Sequence, residues 1–324
     1  MKLRARLAAL PPVARAAAAL LLVFAAGLVW NGNGAFLQER THVDLVGSKG
    51  VIGLLAIGQC LVILTGGIDL SVGSVLALAD MVFAGLMLRA GAPAWLALPV
   101  ACATGALIGL VNGLLVARLR VQPFLATLST MVIARGLAMW VPVLAGQNAG
   151  EKFVPPAAKP AFWDWLAVGR LPVDLPIKGA LLLLAALATG AWVRCTVAGR
   201  WLLAVGGNEE AARLSGIPVA RVKVLAYALC GAFAGLAATA QAASDVQGNP
   251  GAGDMFELQA IAAVVIGGTH LRGGSGGVGL TLLGVLTIGY LDKIQSLNGV
   301  ETHWRLVLQG AIILAAVLLQ ERRR

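Results

Sequence analysis

The side chains that most often carry covalent chemistry are sparse in this chain and lie far apart. The three histidines fall in separate predicted loops: His42, His270 and His303. The four cysteines lie in or beside apolar segments: Cys60, Cys102, Cys195 and Cys230. Their spacing suggests neither a zinc site nor a disulfide framework. Residues 274–279 match G-x-G-x-x-G, but no strand precedes them and no βαβ unit surrounds them, so they are not a dinucleotide fingerprint. We therefore expect a protein that is not an enzyme and that holds no metal or cofactor.

The composition indicates a membrane protein. Hydrophobic residues make up 59% of the 324 and charged residues 12%, whereas soluble domains carry about 25% charged residues. The 41 glycines show no Gly-X-Y period, which excludes collagen. A net charge of +10 could suggest nucleic acid, but the Lys and Arg residues are not clustered among aromatic residues on any soluble segment. The expected surroundings are a lipid bilayer, with no nucleic acid as a partner.

Ten segments are candidates for crossing a bilayer, which takes roughly 20 mostly apolar residues. They are 16–38, 50–68, 70–88, 92–117, 121–141, 179–198, 222–244, 255–271, 273–291 and 304–320. We predict an all-α polytopic membrane protein with about ten transmembrane helices, some interrupted or re-entrant, in a single transmembrane domain over residues 1–324. The first segment follows Lys2, Arg4 and Arg6 and so also fits a secretory signal peptide, but its length favours a retained span.

The distribution of positive charge predicts the orientation. With ten crossings, fifteen Lys and Arg residues fall on one side of the membrane and eight on the other. The richer side is expected to be cytoplasmic, which puts both termini and the 196–221 loop inside and the 142–178 loop outside. The outer loop has two alternative interpretations. It is either a tether with interfacial tryptophans, Trp163 and Trp165, or a docking surface for an extracytoplasmic partner.

A glycine pattern occurs twice and predicts breaks in two helices. Residues 64–74 read LTGGIDLSVGS and residues 265–275 read VIGGTHLRGGS. Interrupted helices at matching places in two halves point to the pathway of a transporter, although chance similarity of glycine-rich turns is the alternative. The predicted helix-break turns contain Gly66, Gly67, Asp69, Ser71, Gly267 and Gly268. Asp69 and Ser71 also suit the structural role of a helix N-cap.

Uncharged polar side chains on the central spans are candidates for lining a path for a polar solute. They are Gln59, Thr65, Asn112 and Gln241. The alternative is that they join neighbouring helices by hydrogen bonds, as polar residues in membrane proteins commonly do.

The 196–221 loop contains a predicted short helix. Asn208 suits the N-cap, the acidic pair after it suits the first turn, and Gly216 suits the end. Apolar residues around this helix favour its insertion into a groove on another subunit.

Four segments together resemble the membrane permease of ribose-type carbohydrate ABC importers. They read LTGGIDLSVGSVLAL, GLVNGLLVARLRVQPFLATLSTMVIARG, GRWLLAVGGNEEAARLSGIPV and ELQAIAAVVIGGTHLRGG, and the resemblance runs from about Thr41 to the C-terminus. Relatives commonly have Ser after Gly-Gly-Thr, whereas this chain has His270 with Arg272 nearby. The second glycine turn therefore departs from the family pattern.

The resemblance implies a translocation-pathway subunit in the bacterial inner membrane. Its partners would be a cytoplasmic sugar-type ATPase, a periplasmic sugar-binding protein, and a second permease subunit that is a copy or a paralogue. The implied cargo is a neutral pentose or hexose, moved by alternating access. Residues implied to couple the permease to the ATPase are Gly206, Gly207, Asn208, Glu209, Glu210, Arg213 and Gly216. The alternatives are a related importer for branched-chain amino acids, nucleosides or a sugar-derived signal, and an ion-coupled secondary carrier.

Overall fold

The chain is mostly helical in the part that the computed structural model describes, residues 11–155 and 160–321. These ranges contain fourteen α-helices and no β-strand: α1 Pro12–Val29, α2 Glu39–Ser48, α3 Gly50–Leu64, α4 Val72–Ala84, α5 Ala94–Ala117, α6 Pro123–Leu144, α7 Ala161–Val168, α8 Ile177–Cys195, α9 Val197–Gly207, α10 Glu209–Leu214, α11 Val219–Asp245, α12 Phe256–Ile266, α13 Val278–Leu297 and α14 Thr302–Glu321. A π-helical segment, Gly85–Arg89, extends α4. Lys2, Arg4, Arg6, Pro156, Lys159 and the terminal 322–324 arginines lie outside the described residues.

The number of helices that can cross a membrane is smaller than predicted. Within the described ranges, seven helices are long and apolar enough, and α2 with α3, bent by 52°, makes an eighth if the pair is one span. Helix α12 has 11 residues and reaches only about 16 Å, half of the roughly 30 Å hydrocarbon core. The count of about ten crossings and the orientation of the termini are therefore not confirmed.

Helix α1 ends well before the predicted boundary at residue 38. The sequence Asn31-Gly32-Asn33-Gly34 follows it, and three of these residues adopt positive φ angles: Gly32, Asn33 and Gly34. The Asn31 side chain accepts a hydrogen bond from the Gly34 amide at 2.9 Å. Asn-Gly pairs favour turns because both residues tolerate this conformation, so the chain turns here although the segment carries no charge.

Helix α3 forms the centre of the bundle. Every residue from Gly50 to Leu64 is buried, and the segment has no charged residue. A helix that is apolar on all sides is stable only when other helices surround it. Helices α8, α11, α12 and α13 all pack against it, so α3 is enclosed by protein.

Helices α5 and α11 pack closely along their length, through small residues. A Cβ atom on Gly105 would overlap the carbonyl oxygen of Gly231, and a Cβ on Gly231 would overlap that of Gly105. Gly109 and Gly235, one turn away, face the partner backbone in the same way. Small residues at four-residue spacing let backbones approach within a membrane, so this seam requires glycine.

The segment between α11 and α12, residues 246–255, enters the bundle, and we call it the connector. Arg135, twelve residues after the start of α6 and nine before its end, donates hydrogen bonds to the carbonyl oxygens of Pro250 (2.7 Å) and Ala252 (2.8 Å). The connector therefore reaches the middle of α6. Helix α12 begins at this depth, which explains why it is only half as long as a full span.

The α5–α11 seam gives the first testable prediction. Replacing Gly231 by Ala should force the two backbones apart and destabilise the protein by about 1–3 kcal/mol, the usual cost of overpacking. Gly136→Ala, on the exposed side of α6, meets no atom within 4 Å and should leave the unfolding temperature unchanged or slightly raised. Thermal unfolding of the detergent-solubilised protein measures both. Equal melting temperatures for the two variants would contradict the close packing.

Candidate functional site

A buried polar network holds the first glycine turn, between α3 and α4. One oxygen of the Asp69 carboxylate accepts hydrogen bonds from the Ser71 amide (2.9 Å) and the Ser71 hydroxyl (2.6 Å). The Asn112 side-chain amide, from α5, donates to the Ser71 hydroxyl oxygen at 2.9 Å. All three side chains are buried. The turn is therefore tied to a neighbouring helix by groups that have no contact with water in this chain.

The network continues onto α6. The Thr130 hydroxyl donates to the side-chain oxygen of Asn112 at 2.6 Å, and Thr130 is buried. Asn112 thus uses its nitrogen on the turn and its oxygen on α6. One amide side chain therefore links three separate elements: the turn, α5 and α6.

The side chain of Gln59, on α3, binds the backbone of the same turn. With its amide oriented to satisfy both groups, Gln59 donates to the Asp69 carbonyl oxygen and accepts from the Asp69 amide, each at 3.1 Å. A break in a helix frees backbone groups that must find partners away from water. Gln59 supplies both partners for residue 69.

The four residues predicted to line a path fall in three places. Gln59 and Asn112 lie together in the Asp69 network, fully buried. Thr65 ends α3 and donates its hydroxyl to the Val62 carbonyl oxygen at 2.8 Å. Gln241, on α11, is half-buried and donates to Asp245 at 2.9 Å. The structure brings only the first two together, and their contacts fit the alternative in which polar residues join helices.

The second glycine turn, between α12 and α13, is held by a close contact with α13 and by a backbone hydrogen bond within the loop. Gly267 ends α12, and a Cβ there would overlap the Leu280 carbonyl oxygen of α13. The His270 amide donates to the Ser275 carbonyl oxygen at 3.0 Å, which closes the loop. The Arg272 side chain is exposed. Both copies of the glycine pattern therefore follow a helix of the bundle and reverse or redirect the chain.

Three glycine segments meet at one point, which we call the glycine junction: Leu64–Gly66, Gly206–Gly207 and Gly273–Gly274. The Gly274 amide donates to the Leu64 carbonyl oxygen at 3.1 Å. A Cβ on Gly206 would overlap that same oxygen. A Cβ on Gly273 would lie 2.7 Å from the Gly66 nitrogen and 2.9 Å from the Gly206 Cα. The end of α9 therefore contacts both glycine turns through backbone atoms.

Helix α10 follows the junction directly and has the predicted caps. The Asn208 side chain accepts a hydrogen bond from the Ala211 amide at 2.9 Å. Glu209 pairs with Lys223 of α11 at 2.6 Å, and Glu210 pairs with Arg213 on the helix itself. Gly216, with φ of +80°, follows the helix. These contacts hold α10 against the start of α11.

A groove of about 510 Å³ opens beside α10. Its walls include the α5–α6 turn, with Arg120 and Gln122, and Glu209, Arg213 and Lys223. Leu214 is 80% exposed, whereas Val205 is buried in the bundle. Of the apolar residues around α10, Val205 thus packs within the bundle, whereas the Leu214 side chain lies on the surface of the described part of the chain.

Sequence reasoning did not find two parts of this arrangement. Thr130 was not singled out, although a threonine on a span beside other polar residues is a common interhelical donor. Arg135 falls inside the predicted span 121–141, but its acceptors are backbone carbonyls, which no residue type marks in a sequence. Within the described residues, no three His, Cys, Asp or Glu side chains come close enough to hold a metal ion.

The network gives a second prediction. Thr130→Val keeps the side-chain shape but removes the hydroxyl donor to Asn112, and leaving a buried acceptor unpaired costs about 1–3 kcal/mol. Ser129→Ala removes an exposed hydroxyl that donates only to the Leu125 carbonyl oxygen and should change stability little. Thermal unfolding of the two purified variants compares them. A Thr130→Val variant as stable as Ser129→Ala would show that the network does not hold the turn.

Comparison with known proteins identifies the family. Residues 42–317 match the family described as "Branched-chain amino acid transport system / permease component". The ribose import permease protein RbsC of Escherichia coli K12 is 39% identical over 289 residues, 89% of this chain and 88% of the relative. RbsC of Bacillus subtilis is 39% identical, covering 90% of this chain and 88% of the relative. The xylose transport system permease protein XylH of Escherichia coli K12 is 32% identical, covering 92% and 88%. No solved structure matched the chain.

These matches confirm the resemblance to ribose-type permeases and the expectation that the chain is not itself an enzyme. Seven apolar helices of sufficient length and the bacterial permease relatives make it a multi-pass protein of the bacterial inner membrane. The match covers most of the chain and includes both glycine turns and α10. The chain therefore belongs to the family of transport-system permease components.

Proposed function

We propose that this chain is the translocation-pathway subunit of an ATP-driven importer and passes a monosaccharide from a binding protein to the cytoplasm by alternating access. The observation that carries the mechanism is the glycine junction. Helix α10 is the segment expected to meet an ATPase subunit, and residues 206–207 immediately before it contact both glycine turns. A displacement of α10 is thereby passed by backbone contact to the end of α3 and to the loop between α12 and α13.

Direct backbone contact suits this role because it absorbs little of a small displacement. Side chains can change rotamer and absorb a shift, whereas a carbonyl oxygen packed against a glycine Cα cannot. Packed interfaces respond to small displacements by switching between discrete arrangements. The coupling residues we propose are those predicted from the family: Gly206, Gly207, Asn208, Glu209, Glu210, Arg213 and Gly216. Leu214 adds an exposed apolar contact for the partner.

The proposed cargo is a pentose or hexose. Two relatives named above are permeases for ribose and one is a permease for xylose, and both sugars are uncharged. A neutral polyhydroxyl solute needs hydrogen-bonding groups along its path and no opposite charge. We propose that Gln59 and Asn112 serve this path from inside the bundle by fixing the first turn, while Thr65 and Gln241 stay predicted lining residues.

The importer that we propose also contains a cytoplasmic sugar-type ATPase, a periplasmic sugar-binding protein and a second permease subunit, which is a copy of this chain or a paralogue. The exposed apolar side chains of α5 and α6 are available to lipid or to that second permease; they include Leu107, Val111 and Val132. The outer loop is the proposed dock for the binding protein. Its two tryptophans differ in burial. Trp163 is buried and stacks on Phe83, with 5.4 Å between the ring centroids, whereas Trp165 is half-exposed.

We further propose ten crossings with both termini in the cytoplasm. The connector and α12 together make one crossing, because the connector descends to the middle of α6 and α12 continues from there. Helix α14, with 20 residues, makes the last. An even number keeps both ends on one side, which agrees with the excess of Lys and Arg predicted to be inside.

An uptake measurement tests the function. Proteoliposomes that contain the assembled importer should accumulate radiolabelled ribose or xylose only when ATP and the binding protein are both supplied. Radiolabelled leucine tests the alternative in which the cargo is a branched-chain amino acid. ATP-dependent uptake of leucine with no uptake of sugar would show that the proposed sugar cargo is wrong. Sugar uptake driven by an ion gradient without ATP would contradict the mechanism.

The junction gives a sharper prediction with an adjacent control. Gly206→Ala places a Cβ against the Leu64 carbonyl oxygen, whereas a Cβ on Gly207 meets no atom within 4 Å. Overpacking of this kind costs about 1–3 kcal/mol, which is roughly 5- to 150-fold in an equilibrium. We expect Gly206→Ala to lower sugar uptake by about that factor while the ATPase still co-purifies and hydrolyses ATP. Gly207→Ala should transport at the parental rate, because Gly207 meets Gly274 through backbone atoms that this substitution leaves in place.

A second pair of variants covers the case in which Gly206→Ala does not fold. Two glycines inserted between Gly207 and Asn208 separate α10 from the junction without any clash. The same insertion between Gly216 and Ile217 lengthens the loop on the other side of α10. Only the first insertion should abolish uptake while ATP hydrolysis continues. Equal effects of the two insertions would show that the junction does not transmit the movement.

A further inference from the structure

The connector is an irregular segment deep within the helical bundle. It is held on two sides, since Arg135 of α6 binds two of its carbonyl oxygens and Asp80 of α4 accepts a hydrogen bond from the Asn249 amide at 2.9 Å. Gly253 packs against Gly73 at the start of α4 so closely that a Cβ on either would crowd the other's carbonyl oxygen. The connector is therefore fixed along α4 and not free at the surface.

Part of the connector remains exposed at this depth. The Asp254 carboxylate pairs with Arg135 at 2.7 Å, yet its side chain is 74% exposed while that of Arg135 is 19% exposed. Gly251 and Met255 are exposed as well. Lipid cannot accommodate a carboxylate or non-helical backbone, because hydrocarbon offers them no hydrogen bonds. This surface must therefore face water or another protein surface.

The neighbouring surface of α6 has the opposite character. Val132 and Ile133 are 65% and 56% exposed, and they lie within one turn of Arg135. Both are apolar and suit contact with lipid or an apolar protein surface. Helix α6 thus separates an apolar surface from the polar surface of the connector at the same depth.

We propose that the connector lines the solute path near the middle of the membrane, where the Asp254 carboxylate accepts hydrogen bonds from the hydroxyl groups of an uncharged polyhydroxyl solute. This inference rests on the proposed function and adds a lining element to it. Helix α4, which carries the connector at Gly73 and Asp80, begins directly after the Asp69 turn. The first turn and the connector therefore both contact α4, so that a movement of α4 moves the connector as well.

Cysteine accessibility tests this assignment. In a chain whose four cysteines, Cys60, Cys102, Cys195 and Cys230, have been replaced, Gly251→Cys introduces a thiol on the connector, where a Cβ makes only ordinary contact, 3.4 Å from Asn249. Ile133→Cys, also exposed and two residues from Arg135, is the matched control. The reagent is the membrane-impermeant cation 2-(trimethylammonium)ethyl methanethiosulfonate, applied to the assembled importer.

We expect the Gly251→Cys thiol to react about tenfold faster or more than that of Ile133→Cys, because the thiolate that reacts forms only in contact with water. The reaction should block uptake relative to the unlabelled variant, and excess sugar should slow it. Met255→Cys provides a second probe, since Met255 already has a positive φ angle and the substitution adds no new backbone strain.

Two outcomes would overturn the proposal. One is a connector thiol as unreactive as that of Ile133→Cys. The other is a disulfide between two copies of the Gly251→Cys variant without labelling, which would mean that a second permease covers the connector. Uptake by the cysteine-free parent is measured separately. A cysteine-free parent that imports sugar while the connector thiol stays unreactive refutes the lining alone, whereas an unaltered chain that imports no sugar refutes the proposed function.

Discussion

Backbone that leaves the helical conformation inside a bilayer must find every hydrogen bond within the protein, and this constraint explains the polar residues of this chain. The first glycine turn obtains its partners from Gln59 and from the Asp69 network. The connector obtains them from Arg135 and Asp80. Each of these two segments is held by side chains of the surrounding helices that supply donors or acceptors. These polar residues are thus explained by the breaks that they support.

The same constraint accounts for the distribution of glycine. Helix breaks can contact one another only if no side chain separates them, and the glycine junction joins three segments in this way. The α5–α11 seam is also made of glycine, but its role is different, because it holds two unbroken helices together. The chain therefore combines a closely packed helix pair, α5 and α11, with two breaks that share one contact point.

Several features could be predicted from the sequence because their causes are local. The turns after α3 and α12 follow from Gly-Gly pairs, and α10 follows from Asn208, the acidic first turn and Gly216. Apolar segments of about 20 residues are likewise a local signal for long helices. The segment predicted for α1 runs on to residue 38 because Asn31–Gly34 carries no charge, whereas the helix ends at Val29. The Asn-Gly pairs were a turn signal that hydropathy does not register.

By itself the sequence determined that this is an all-helical membrane protein with breaks at two glycine turns, because composition and short-range pattern are properties of each segment alone. The tertiary structure decided which segments meet. Asn112 lies 43 residues from Asp69 and binds the turn beside it, and Gly206 contacts turns that lie on either side of it in the sequence. Arg135 binds carbonyl oxygens more than 100 residues away, and no residue type marks a carbonyl acceptor. These contacts depend on how whole helices pack against one another, and packing is set by all the elements together.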